Sequence, residues 1–285
     1  MTSPASFPSP ARFSSRAAKA PYGCIVVAAH PDDEAIGFGA HLREMRDLSA
    51  IIHVTDGAPR RGDDVRNAGC ERWEQYAALR RQEFQQALLV SEAQCGRTMC
   101  LWYPDQQAIV RLVDITRDLA ELFENLRPKL VFTHPYEGGH PDHDTVAAAV
   151  HAARQLLKAG FEIMEFASYH AGGGGIETET FLAENGARVN ERPLTAEDRR
   201  RKRAMFDCYA SQRAVLDQFP LQNEPLRVAP RYDFSQPPHE GSLFYEQFDW
   251  GVTGRDWRAL AGEAFRILGL RSEASRQGSQ AGWIR

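Results

Sequence analysis

Between Cys24 and Ser168 short apolar runs alternate with longer stretches of helical spacing, and this alternation limits the fold more than any other feature. Strands are predicted at Cys24–Ala29, Ser49–Thr55, Thr98–Trp102, Leu130–Thr133 and Glu162–Ser168. Helices are predicted over Ala35–Arg46, Glu71–Val90, Ile109–Asn125 and Thr145–Ala159. Strands this short and apolar, each followed by a helix, are buried on both faces. The reading is therefore α/β: a Rossmann-like, mostly parallel sheet with helices on both faces.

After Tyr169 the pattern changes, so the C-terminal third is expected to be a modification of the α/β plan. GGGG at 172–175 reads as a flexible connection. Residues 177–194 suggest a hairpin turning at Asn185–Gly186. A helix over Ala196–Gln218 follows, with Thr195 as N-cap and Asp198 three residues on. A proline-rich loop leads to SLFYEQF, read as a late strand. Residues 1–20, rich in Ser, Pro and Ala, read as a flexible leader, 21–270 as one α/β domain, and 271–285 as a polar tail.

The 285 residues carry a net charge of -4, which gives no support for nucleic-acid binding. RRRKR at 199–203 is expected on a solvated helix face. No apolar run reaches the roughly 18 residues of a membrane helix, so no stable membrane insertion is expected. Five scattered cysteines without a CxxC pair suggest a reducing, cytoplasmic setting. Oligomeric state is not legible.

Two clusters carry chemistry. AAHPDDE (28–34) follows the first strand, and THPYEGGHPDHD (133–144) follows the fourth. In an open α/β sheet, ligands bind beyond the carboxyl ends of strands. His30 and Asp33, three apart across a turn, can both reach one ion. Asp32 or Asp33 as a helix cap accounts for one acid, and Asp144 as a cap for another. Neither accounts for the density of His and Asp, which suits zinc or another first-row divalent ion. Arg80 and Glu83 share a helix face, where an exposed ion pair explains them equally well. Thr55–Asp56–Gly57 and Asp105 end further strands. There is no GxGxxG, Walker or GxSxG pattern, so nucleotide binding on the Rossmann-like sheet lacks its phosphate loop.

AHPDDE (29–34) with HPDHD (140–144) resembles the PIG-L/LmbE-like N-deacetylases, which include the GlcNAc-phosphatidylinositol deacetylase and those of mycothiol and bacillithiol synthesis. TDG (55–57), RRQE (80–83), YPD (103–105), FTHP (132–135) and KRAMFDCYASQ (202–212) extend the likeness over about residues 23–215. The resemblance implies the LmbE-like fold and one divalent metal, with zinc expected and iron, manganese or cobalt compatible. It implies His30, Asp33 and His143 as metal ligands and Asp32 as general base. It gives His140 a role at the transition state or leaving amine, and Asp142 that of orienting a neighbouring histidine, His143. It implies Arg80 and Asp105 as substrate contacts. Some members use a tyrosine near the second cluster to assist the oxyanion; Tyr136 is the nearest here, in PYEGGH.

The expected activity is thus metal-dependent hydrolysis of an N-acetyl or N-acyl group on a small amino-sugar conjugate. Two alternatives stay open: a different N-acyl substrate, such as a lipid-linked or antibiotic sugar, and a non-catalytic member that binds sugar or metal.

Overall fold

The computed structural model describes residues 23–45, 47–182 and 188–270. The leader, the tail and the Asn185–Gly186 turn lie outside the described residues. β1 (Cys24–Ala28) is buried along its whole length and sits mid-sheet, parallel to both β2 (Leu48–Pro59) and β4 (Leu130–Thr133). β3 (Thr98–Asp105) extends the sheet beyond β2, and β5 (Glu162–Phe166) beyond β4. A hairpin of β6 (Tyr169–Gly172) and β7 (Gly175–Thr178) stands apart. β8 (Val189–Asn190) and β9 (Leu226–Val228) close the far edge, with β9 antiparallel to β5. The order is β3-β2-β1-β4-β5-β9-β8, so the strand order reverses between β1 and β4. A crevice opens at such a reversal, beyond the carboxyl ends of the two strands.

Period-two alternation along β1 supplies two cores. Ile25 and Val27 face one side, packing with residues of α4 (Leu112–Leu126), α5 (Pro141–Leu157) and α8 (Gly254–Ile267). Cys24, Val26 and Ala28 face the other, against α1 (Asp33–Leu42), α3 (Trp73–Val90) and α6 (Ala196–Phe206). The expected α/β plan, helices on both faces and a changed C-terminal third, is what the chain adopts. Gly37 is the point of closest approach in α1: a Cβ there would stand 2.2 Å from the Phe166 ring.

Several boundaries differ from expectation, each for a local reason. α5 starts at Pro141 rather than Thr145, because the His140 side chain caps it and Pro141 fits the first turn. HPDHD is therefore the helix's N-terminal turn, not a loop before it. β2 runs on to Pro59, and the short α2 (Asp64–Asn67) precedes α3. The Thr195 cap forms with its reciprocal Asp198 bonds, but α6 stops at Phe206. A 3-10 turn at Ala210–Gln212 and α7 (Arg213–Leu216) replace the remaining turns, burying Tyr209 at the break.

GGGG is the turn of the β6–β7 hairpin and not a linker. SLFYEQF is not a strand: Phe244–Gln247 is a 3-10 turn whose Glu246 accepts from Leu243 N–H and from Gly254 N–H. RRRKR is only partly a solvated face. Lys202 is buried, donating to Ile36 O and to Glu224 at 2.6 Å. α8 had no counterpart in the sequence reading. Its Trp257 is buried and donates from Nε1 to Pro141 O (3.1 Å) and Thr145 Oγ1 (3.0 Å), fastening α8 to the start of α5. All five cysteines are free thiols, and among the described residues no helix is long and apolar enough to cross a membrane.

Candidate metal centre and its family

The two clusters meet at the β1/β4 reversal. The turn after β1 delivers His30, Asp32 and Asp33; the first turn of α5 delivers His140, Asp142 and His143; the end of β3 adds Asp105. All are buried, yet His30, Asp32, Asp33, Arg80, Asp105, His140 and His143 line one cavity of about 330 Å³.

Asp33 is the hub. Its Oδ1 lies 3.1 Å from His143 Nε2, and its Oδ2 lies 3.3 Å from His30 Nδ1 and accepts the His30 backbone N–H at 2.7 Å. The His143 contact lacks hydrogen-bond geometry, and that buried nitrogen has no hydrogen-bond partner among the described residues. A carboxylate and an imidazole nitrogen brought this close without bonding suit two ligands of one cation. The His30 ring makes the same demand. Burial works against its protonation, but Asp105, Asp142 and Asp33 outweigh it and hold its pKa well above the usual histidine value. Asp105 Oδ1 is 3.1 Å and Asp142 Oδ2 3.3 Å from its Nε2. Three carboxylates converging on one imidazole call for positive charge among them. Ligand atoms of His30, His140 and His143 fall within 4.8 Å of one another, as do those of Asp33, His134 and His143. The residues present therefore offer donors that fit a divalent ion, and the three expected ligands divide between the groups: His30 falls in the first, Asp33 in the second and His143 in both.

His134 also touches Asp33, but its Nε2 accepts the Ala29 N–H at 3.0 Å, which uses the lone pair a metal needs. Its ring stacks on His143 at 4.0 Å and 12°, fixing that imidazole's plane.

Asp32 faces the cavity from a strained backbone, with φ at 153°. Arg80 from α3 holds it: Nη2 is 3.0 Å from Asp32 Oδ2 and 2.8 Å from Pro31 O, while Nη1 donates to Gly57 O. Arg80 is not on an exposed face, and neither is Glu83, which accepts from Ser211 N–H (2.8 Å) and Oγ (2.6 Å). Gly57, at φ 65°, is needed there, since a Cβ would press on Pro31 at 2.8 Å and on the Arg80 guanidinium. Burial pushes the Asp32 carboxyl up to about 8, Asp33 and Glu34 adding to the rise while Arg80 and His30 oppose it. Glu34 accepts the Asp32 backbone N–H at 3.2 Å. Glu34 is itself held by His53 Nε2 at 2.9 Å and by the Tyr209 hydroxyl.

His140 accepts the Asp142 N–H at Nδ1, so its Nε2 carries the proton of the neutral ring. Burial, with His30 and His143 beside it, keeps it neutral, its pKa well below the ordinary value. Asp142 accepts from Gln106 N–H (2.6 Å) and Ala108 N–H (3.0 Å), tying α5 to the end of β3. Its carboxylate meets His30 and not His143. Asp144 does not cap its own helix; it accepts the Glu137 and Gly138 amides and closes the intervening loop.

One expected residue is absent from the cavity. Tyr136 packs in the apolar core among Tyr232, Phe234 and Trp257, its hydroxyl donating to Gln236 O. Tyr169 from β6 lines the cavity, 5.3 Å from the His143 ring, together with Tyr76, Gln212, Phe248 and Trp250. Trp250 packs on His140 at 4.6 Å and stacks on Phe248 at 4.6 Å and 14°. The aromatics at 244, 245, 248 and 250 stand out in the sequence, but nothing local ties them to the motifs.

The fold recurs in solved structures. The zinc inhibited form of teicoplanin deacetylase Orf2 superposes with a TM-score of 0.55 at 17% identity, covering 74% of this chain and 98% of that one. The A40926 pseudoaglycone deacetylase Dbv21 gives 0.54 at 20%, with the same coverage. The conserved protein TT1542 from Thermus thermophilus gives 0.51 at 20%, covering 73% and 94%. At these identities the likeness establishes the fold. A sequence search of curated proteins gave no match. Residues 25–154 match the family described as PIG-L, GlcNAc-PI de-N-acetylase. That span holds both motif clusters and every residue named above as a possible cation ligand, and over it the chain is similar to the PIG-L/LmbE-like deacetylases.

Proposed function

We propose that the chain removes the N-acetyl group of a small amino-sugar conjugate by metal-dependent amide hydrolysis, in the cytoplasm. The observation that carries it is the pairing of a carboxylate hub, Asp33, with a separately anchored second carboxylate, Asp32, in one cavity. His30, Asp33 and His143 would hold the ion, zinc first, with iron, manganese or cobalt allowed by the same donors. When bound, such an ion acidifies water and polarises an amide oxygen.

The chain's own groups do the rest. Asp32, held at the cavity by Arg80, is suited to take a proton from water and return it to the leaving amine. Arg80 and the Glu34 bond to its backbone fix where its oxygens point. His140 presents a neutral Nε2–H, a donor for negative charge developing on the amide oxygen. Asp105 stands 4.0 Å from that nitrogen and closes the same side, where it can accept from a sugar hydroxyl. The aromatic wall of Tyr169, Phe248 and Trp250 offers flat apolar surface to a sugar face.

Asp32→Asn tests this directly. Acetate release from N-acetylglucosaminyl compounds is expected to fall about 10²–10⁴-fold, while the metal content by elemental analysis stays near that of the parent. Acetate release that survives the substitution refutes the role of Asp32.

A further inference from the structure

A second cavity, of about 280 Å³, adjoins the catalytic one, and the two share Gln106 and Trp250. Its lining combines apolar and cationic groups. Ile109, Val110, Val252 and Leu260 provide the apolar side, with Val110 61% and Leu260 38% exposed. Arg60 and Arg61 provide the charge. Arg60 is already satisfied: it clamps Asp56 at 2.6 Å and its guanidinium lies 3.6 Å over the Trp73 ring. Arg61 has no carboxylate within ion-pair reach among the described residues. The cavity's one acid among the described residues, Asp256, keeps its charge while it caps α8 through Thr253, and no ion pair joins it to Arg61. The cavity thus presents one guanidinium outside any ion pair among the described residues, beside uncovered aliphatic surface. Arg61 is also placed: its Nη1 lies against Gly251, 3.3 Å from where a Cβ would stand.

Resting on the deacetylase reading, we infer that this second cavity receives the part of the substrate beyond the amino sugar, and that this part carries an anionic group next to an apolar portion. The acetamide must sit at Asp32 and His140. What passes between Gln106 and Trp250 is then the remainder of the conjugate. A guanidinium selects an anion there, and the aliphatic wall selects against a fully polar one.

The test compares binding of phenyl N-acetyl-β-D-glucosaminide with its 4-carboxyphenyl and 4-phosphonophenyl analogues, by calorimetry on the metal-loaded full chain. At least one anionic analogue is expected to bind roughly fivefold tighter than the phenyl compound, the scale of one partly exposed ion pair. The better of the two analogues identifies the anion. In Arg61→Gln that preference is expected to vanish, and Arg61→Lys to keep part of it. Equal affinities for all three compounds, or a preference that survives Arg61→Gln, overturns the inference. Acetate release measured on the same compounds separates the two readings: conjugates that bind with the predicted preference but release no acetate refute the deacetylase activity and leave the anion subsite standing.

Discussion

The cavity at the β1/β4 reversal has two walls built in different ways. The wall from residues 28–34 and 133–144 consists of groups whose backbone amides and carboxylates bind one another. Asp33 holds His30 N–H, Glu34 holds Asp32 N–H, Asp142 holds two amides of the β3 end, and Asp144 holds two of its own loop. The wall from residues 244–250 is aromatic, joined by ring contacts, with Phe248 43% exposed. A group held by several polar bonds has one position; a stacked ring can shift by small steps. Under the proposed function, the difference suits the first wall to chemistry and the second to substrate fit.

The comparison breaks first if the polar wall tolerates change. Asp33→Ala removes the hub shared by His30 and His143. Activity is expected to fall by about 10³-fold or more and bound metal to be lost on elemental analysis. Full metal occupancy in this variant would show that His30, His140 and Asp105 hold the ion without Asp33.

The second test concerns the support beneath that wall. Arg227 on β9 is buried and reaches Glu165 on β5 (2.7 Å), Glu137 (3.0 Å) and the Tyr232 hydroxyl (3.0 Å). It joins the antiparallel edge to the loop that carries the second cluster. Arg227→Met leaves two acids buried beside an apolar group, and a loss of about 3–5 kcal/mol is expected in denaturant unfolding. A loss below about 1 kcal/mol would mean that water reaches the acids and that the edge is not a rigid support.

The third sharpens the contrast between walls. Phe248→Ala removes an exposed ring that touches Phe244 and Trp250 but no group proposed to act on the amide. KM is expected to rise about tenfold, the worth of one good aromatic contact, with the loss falling mainly on KM. A comparable fall in kcat would show that the aromatic wall also places the amide.

The legibility of the sequence divides along the same line. The parallel sheet and the two clusters were readable because each depends on residues close in the chain: β1 flows into HPDDE and β4 into the α5 turn within a few positions. Arg80 looked ambiguous because helix spacing gives its face but not whether that face is covered. The β2 end and the turn at Ser211 cover it, and both are distant in sequence. Tyr136 was misplaced for the same reason. Proximity to the motif suggested the cavity, but Trp257 on the unforeseen α8 draws it into the core. Tyr169, Phe248 and Trp250 reach the site only through the β6 hairpin and the 3-10 turn, which sequence patterning read as a linker and a strand.

The smallest effect lies where the two regions of the chain join. His151 on α5 is fully buried against Tyr232 and Phe234, and among the described residues neither ring nitrogen has a hydrogen-bond partner. Burial, with Arg154 adding, pulls its pKa down to about 3. A folded pKa below the unfolded value near 6.5 means that the unfolded chain binds the proton first. Stability is then whole above about pH 6.5 and falls as pH drops toward the folded value, by up to ~1.4 kcal/mol per unit. His151→Leu removes that slope. At pH 7 it also removes two unpaired polar atoms from an apolar site, so its effect there is expected within about 1 kcal/mol of zero and on the stabilising side. Urea unfolding of both proteins at pH 7 and 5.5 reads both quantities. Parallel losses on acidification would show that His151 takes no part in the pH dependence, and that the aromatic contact between α5 and the C-terminal third is open enough to admit a charged imidazole.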